Sequence, residues 1–345
     1  MFILAKLVLG IGLLVLLGYM VDWNAVAAVL GSASPGWITG AFAVSVLGVL
    51  ISAEKWNGLL RDSRVRLPFF AAARLYWVGM FFSNFLPTSV GGDALRLALT
   101  PSHGRTERVA ATILVERLTG FFVMLVLCAV GLLTGPLSFG HPHLAEAMLL
   151  AVLGLLIAVA AAVLAPTVLA KLLPMVIERL PRLLQRIVLK MQRIAVTIAR
   201  QSRRGTALLR ALVLSVPFYG TIFIAQYCVL RAVGAQLPLL DVVLVGALVP
   251  LLGLVPISLN GLGVTEGVFV AVYGAVGVVP KLALAAALLR RSVDLLNSAL
   301  GGLFWLIDRR HGIAATAAAR EAVRIARPLA ARPSAEPVEL KAPAG

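Results

Sequence analysis

Apolar runs of helix length follow one another along this chain, separated by short loops. They read as roughly 3–20, 36–53, 68–86, 109–134, 145–165, 207–231, 239–256, 264–279 and 281–307. A helix needs about 20 mostly apolar residues to cross a bilayer, and nearly all the runs approach that length. The pattern predicts an all-α integral membrane protein, a polytopic helical bundle.

The polar residues between the runs set an orientation. Lys55, Arg61, Arg64 and Arg66 crowd the loop after the second run, whereas the loops around Asp22 and Phe139 carry no Lys or Arg. The positive-inside bias puts the first loop in the cytoplasm and the other two outside. Arg105 and Arg108 also belong inside. The stretch 68–100 therefore begins and ends on the cytoplasmic side with a single full-length run between. It is expected to enter and return, as a helix through Phe85, a turn at 87–92 and a half-helix from Asp93. By the same counting, 239–279, broken at 256–263, is a hairpin entering from outside.

The two breaks share a pattern, Pro87-Thr88-Ser89-Val90-Gly91-Gly92 and Pro256-Ile257-Ser258-Leu259-Asn260-Gly261, 169 residues apart. That offset also carries the second run onto 207–222 and the fourth onto 278–303. Because the two units start on opposite sides, an inverted-topology repeat is expected, with halves at about 36–135 and 207–307. Transporters of that design place their substrate where discontinuous helices meet, since unpaired backbone groups can face a ligand there instead of lipid.

Composition narrows the function classes. Hydrophobic residues make up 60% of the 345 and charged ones 13%, against about 25% charged in soluble domains. The polar stretches 166–206 and 308–345 are too short for a soluble enzyme core. The run from Phe2 to Met20 exceeds a signal-peptide core and lacks a nearby small-residue cleavage site, so it is expected to remain as the first helix. The net charge of +16 sits beside apolar runs, which points to anionic lipid and not to nucleic acid. Within the linker 170–205, Ile177, Leu180, Leu184, Ile187, Met191, Ile194 and Ile198 form one stripe flanked by arginines, as in a helix lying on the cytoplasmic leaflet. Residues 1–310 read as one transmembrane domain, and 311–345 as a largely disordered cytoplasmic tail.

Cys128 and Cys228 lie inside apolar runs and give no disulfide framework. His141 and His143 lack the carboxylate or thiol cluster of a metal site. There is no Walker motif, and neither cofactor, metal nor catalytic residue is expected.

Charges inside spans usually face a cavity or a partner. Glu116 and Arg117 lie in the fourth run, and Arg290, Arg291 and Asp294 in the last. Arg290 and Asp294, four residues apart, can pair; the neighbouring arginine points about 100° away and is left for something else. In the first hairpin Gly91 and Gly92 permit a tight turn, Asp93 can cap the returning half-helix, and Arg96 one turn in suits a phosphate. Capping and snorkelling explain the same pair. Asn84 and Ser89 are the other polar candidates there. The second hairpin offers Ser258, Asn260, Gly261, Gly263, Thr265 and Glu266, the last able to counter a cation or carry a proton.

At these residues the chain resembles the flippase-like transmembrane domain of lysyl-phosphatidylglycerol synthases and its stand-alone bacterial relatives. Four stretches carry the likeness: Glu54-Lys55-Trp56-Asn57-Gly58-Leu59-Leu60, then 86–96 with its Gly91-Gly92-Asp93 and Arg96, then Glu116-Arg117-Leu118-Thr119-Gly120, then 256–267 with its Gly261-Leu262-Gly263-Val264 and Glu266-Gly267. The resemblance implies a bacterial inner-membrane protein that moves, or helps to move, a phospholipid or polyprenyl-linked lipid between leaflets. It does not imply synthesis, which belongs to a soluble domain outside this likeness. Thr265 departs from the family, where arginine often precedes the glutamate.

Three functions are thus in view. In the first, both hairpins line a groove for a polar head group; Arg96, Arg117 and Arg291 bind phosphate, while Asp93, Glu116 and Glu266 balance charge or couple to protons. The second is a membrane-embedded transferase with Glu116 or Glu266 as base, lacking a nucleophile–base pair. The third is a non-transporting subunit whose basic helix at 177–204 and tail recruit an envelope or lipid-synthesis enzyme; the partners in view besides membrane lipids are such an enzyme or further copies in a homo-oligomer. The first is preferred: a carrier and not an enzyme, with both termini cytoplasmic.

Overall fold

The computed structural model describes residues 23–85, 91–101, 106–134, 142–164, 205–253 and 258–308, together with Gly12 and Val15. The linker expected to be an amphipathic helix, the tail, most of the first run and the expected turn with Ser89 lie outside the described residues. The elements within them are helices: α1 (Trp23–Gly31), α2 (Pro35–Asp62), α3 (Phe69–Phe85), α4 (Gly91–Leu99), α5 (Thr106–Thr134), α6 (Pro142–Leu164), α7 (Gly205–Ala232), α8 (Leu239–Gly246), α9 (Leu248–Gly253), a 3₁₀ turn (Leu259–Gly261), α10 (Val264–Gly274) and α11 (Pro280–Asp308).

Length sorts these helices. Among the described residues, three are long and apolar enough to cross a bilayer: Pro35–Asp62, Thr106–Thr134 and Thr206–Ala232. Helix α11 also has 29 residues, but Lys281, Arg290, Arg291 and Asp294 interrupt its apolar character. The 9 residues of α4 and the 11 of α10 extend about 14 and 17 Å at 1.5 Å per residue, well short of a bilayer core of about 30 Å.

Several boundaries differ from the sequence expectation. Helix α2 continues past Ala53 to Asp62, because Trp56, Leu59 and Leu60 extend its buried side. Helix α1 occupies 23–31, where no apolar run was read; its Val26 is buried. The run 239–256 divides at Ala247, next to a carbonyl of Gly246 that accepts from Gln226 on α7, a side chain entering the backbone ladder. The run 264–279 stops at Gly274, since Gly277 takes a positive φ of 89° and Val278 N–H returns to the Tyr273 carbonyl.

A long helix, then α3 or the pair α8 and α9, then a short helix and a second long helix: this order occurs twice. Local geometry repeats with it. After α2, Arg64 (φ 61°) donates to Arg61 and Val65 to Leu60; after α7, Gly234 (φ 85°) donates to Arg231 and Ala235 to Leu230. Both are Schellman closures, 170 residues apart, and each is followed by Leu-Pro at 67–68 and 237–238. Helix α2 lies along α7 in the most extensive helix pair, while α11 packs on α3 and α5 on α8. Glycines permit the last two approaches: a Cβ on Gly301 would overlap the Trp77 backbone, and one on Gly131 the Leu244 carbonyl. The main core joins α5, α7, α8, α10 and α11 through Phe223, Phe269, Tyr273 and Leu284. A smaller one surrounds Trp56, Leu60 and Val109.

Candidate functional site

Two polar clusters sit within the bundle, one in each half. The first gathers on α4. Gly92 lets α4 lie against α3, where a Cβ would overlap the Gly79 carbonyl and the Ser83 hydroxyl. This close approach draws Arg96 inward until it is 4% exposed. Its guanidinium donates to Glu116 Oε2 on α5 at 2.7 Å and to Asp93 Oδ1 at 3.2 Å. The faces of Trp56 and Tyr76 lie 4.2 Å from it, one on each ring. A desolvated cation thereby gains a counter-ion and two π-faces. Arg117 donates through Nε to Asp93 Oδ2 at 2.6 Å, its side chain 59% exposed. Asp93 thus gives one oxygen to each arginine from inside the first turn of α4.

Lys55 completes this cluster, and sequence reading missed it. Assigned to a cytoplasmic loop, it is instead a buried residue of α2 whose Nζ donates to the Glu116 carbonyl at 2.8 Å and to Ser215 Oγ on α7 at 2.7 Å. One ammonium therefore ties three helices together.

The second cluster borders a cavity of about 380 Å³. Asn84, Asn260, Thr265, Glu266, Arg290, Arg291 and Asp294 supply polar groups to its wall, with Met80, Ile222, Val249, Phe269 and Leu295 among the apolar ones. Glu266, 1% exposed, is the third residue of α10; its Oε2 accepts from Gly263 N–H at 2.7 Å and its Oε1 from Arg291 Nε. Gly263 and Gly261 take φ of 76° and 69°, and Asn260 takes 50°, a left-handed path that glycine follows without a Cβ penalty. Arg290 donates to Asp294 Oδ1 and to Ser45 Oγ on α2, both at 2.9 Å. The i,i+4 pair forms as expected, and Arg291 turns away from it to the half-helix.

The end of α3 meets the 3₁₀ turn here. Asn84 near the end of α3 accepts from Asn260 Nδ2 at 2.8 Å and donates to Ser298 Oγ on α11 at 2.6 Å. Ser258 is buried, its hydroxyl without a partner among the described residues. Of the candidate residues, the structure collects Asn84, Asn260, Glu266, Arg290, Arg291 and Asp294 around one cavity. Arg96, Asp93, Glu116 and Arg117 form the separate cluster in the first half. Ser45, Ser215 and Ser298 were not singled out from sequence, and nothing short of the fold distinguishes them from other helix serines.

Comparison with known proteins places this architecture. Residues 3–301 match the family described as lysylphosphatidylglycerol synthase TM region. The chain belongs to that family. It is also similar to a UPF0104 membrane protein of Pyrococcus horikoshii, 21% identical over 323 residues that cover 88% of this chain and 96% of the relative. As a member of the lysylphosphatidylglycerol synthase TM region family, with helices long enough to span, the chain is a multi-pass membrane protein.

Proposed function

We propose that this protein carries a phosphate-bearing lipid, an anionic phospholipid or a polyprenyl phosphate lipid, between the leaflets of the bacterial inner membrane. Its head group passes the polar cavity between two re-entrant hairpins, and its acyl chains stay in lipid. The observation that carries this reading is the cavity itself. At about 380 Å³ it falls in the range of ligand pockets, and two arginines line it beside the contact of Asn84 with Asn260. Arg290 and Arg291 are 18% and 20% exposed, reachable by a ligand yet shielded enough for charge-assisted hydrogen bonds to be strong.

Other features support the details. Helices α4 and α10 are too short to span, which fits chains that enter and return. Matching closures after α2 and α7 and the crossed packing of α11 on α3 and α5 on α8 fit two inverted halves, the arrangement associated with alternating access. Both termini are cytoplasmic in this reading, following the basic loop after α2. The protein acts as a carrier and not as an enzyme, with membrane lipids as its partners.

Reconstitution into vesicles containing a labelled anionic phospholipid tests the proposal. Wild type is expected to exchange the label between leaflets faster than empty vesicles, and Arg290→Gln/Arg291→Gln to lose at least ten-fold of that rate, on the order of one charge-assisted hydrogen bond. Wild-type exchange no faster than empty vesicles, or an unimpaired double variant, overturns it.

A further inference from the structure

We propose that Glu266 competes with the ligand's phosphate for Arg291, so that the Glu266–Arg291 pair is a latch on α10 that an anionic ligand opens. This inference rests on the reading of the cavity as a phosphate site and adds a specific role for Glu266, a positioning residue.

The geometry of Arg291 motivates it. Its Nε is taken by Glu266 Oε1, and its Nη1 reaches the Asn260 carbonyl only at 3.5 Å. Nη2 has no partner among the described residues, and the side chain borders the cavity. A phosphate bound bidentately along the Nε–Nη2 edge therefore requires the carboxylate to leave Nε. Glu266 keeps a second anchor when it does, since its other oxygen already holds Gly263 N–H at 2.7 Å. The segment leading into α10 has positive φ at Asn260, Gly261 and Gly263, so α10 is joined to the second break by residues able to turn.

The first half shows what a closed version of this device looks like. Arg96 and Glu266 stand 170 residues apart, the same offset that relates the helix closures, Ser45 with Ser215, and Gly131 with Gly301. Each sits on the short helix of its half and pairs with an opposite charge on the following long helix, Arg96 with Glu116 and Glu266 with Arg291. The polarity is reversed between the halves. The Arg96 pair is sealed between Trp56 and Tyr76 and does not border the cavity. The Glu266 pair has its cation on the cavity wall, where only an anion can replace the carboxylate. Charge reversal thus leaves one latch permanently shut and makes the other responsive to an anionic ligand.

The test titrates wild type and Glu266→Gln, each purified in detergent, with a short-chain phosphatidic acid and separately with inorganic phosphate, by calorimetry. Glutamine keeps the shape and can still accept from Gly263 through its amide oxygen, which turns its NH2 toward Arg291 and leaves Nε without its acceptor. Glu266→Gln is expected to bind phosphatidic acid roughly ten-fold tighter than wild type, the gain from removing one charge-assisted competitor. A parallel gain for inorganic phosphate assigns recognition to the phosphate group alone; a gain confined to phosphatidic acid assigns it to the lipid. Equal affinities in the two proteins overturn the latch and leave the phosphate cavity standing. Absence of binding to wild type overturns both. Hydrogen exchange of the wild type provides a second measurement should the variant not fold: phosphatidic acid is expected to speed exchange of the amides at 264–268, and unchanged or slower exchange overturns the latch.

Discussion

Glu116→Gln removes the carboxylate facing Arg96 and leaves the guanidinium in place. Arg96 is 4% exposed and Glu116 5%, so neither water nor lipid head groups can compensate the loss. Neutralising one partner of a buried ion pair costs about 3–5 kcal/mol, because the other charge stays desolvated. Asp93 remains 3.2 Å from Arg96 and the Trp56 and Tyr76 faces remain stacked on it, which sets the expected cost near the lower end, about 3 kcal/mol. Glu54→Gln is the matched control. Glu54 also accepts from two arginines, Arg61 at 2.5 Å and Arg210 at 2.6 Å, but their side chains are 47% and 51% exposed. Pairs of that kind contribute about 0–1 kcal/mol. Reversible unfolding of the purified proteins in mixed micelles, followed by tryptophan fluorescence, reads both. The double variant Arg96→Leu/Glu116→Leu removes both charges and is expected to recover part of the loss. Equal stability of Glu116→Gln and Glu54→Gln would refute the reasoning, as would losses of the singles Arg96→Leu and Glu116→Leu that simply add in the double variant.

Three further outcomes are expected from the same unfolding assay and from function. Gly301→Val and Gly131→Val force a side chain into the backbone of α3 and α8 and are expected to destabilise by at least about 1–3 kcal/mol, whereas Gly220→Ala, with open space around it, is expected to be neutral or to stabilise by up to about 1 kcal/mol. Lys55→Met leaves Ser215 and the Glu116 carbonyl without their ammonium donor and is expected to cost about 1–3 kcal/mol. Lys55→Arg is expected to restore it only in part, since the wider guanidinium must enter a buried site that holds a single ammonium nitrogen; full stability of Lys55→Met would remove Lys55 from the helix junction. Asn260→Gly keeps the left-handed backbone and Asn260→Val does not, so the valine variant is expected to be less stable by about 1–3 kcal/mol; leaflet exchange should fall in both, since both lose the hydrogen bond to Asn84.

How much of this was legible in the sequence depends on the range of the interaction involved. Helix-length apolar runs announce helices, and the i,i+4 spacing of Arg290 and Asp294 announces their pair. The Asn260-Gly261-Leu262-Gly263 stretch announces a break, because positive φ selects those residue types. Lys55 was misread because a hydropathy pattern ends a span at the first charges. The buried face in fact continues through Trp56, Leu59 and Leu60, and that apolar continuation was the available signal. For Arg96 the local helix N-terminus is legible and suggests a phosphate ligand. Its actual surroundings, Trp56, Tyr76 and Glu116, come from three other helices, and nothing near Arg96 in the chain encodes them. The repeat offset, taken from the breaks as 169, is 170 for the helix closures and packing glycines.

Disulfide trapping between the two breaks is the most direct test that they meet at a polar site within the bilayer. With Cys128 and Cys228 replaced by alanine, the pair Asn84→Cys/Asn260→Cys is expected to cross-link readily in native membranes and, once cross-linked, to stop leaflet exchange until reduced. Failure to cross-link, with both positions instead labelled by a membrane-impermeant thiol reagent, would contradict a shared site at the junction of the two hairpins.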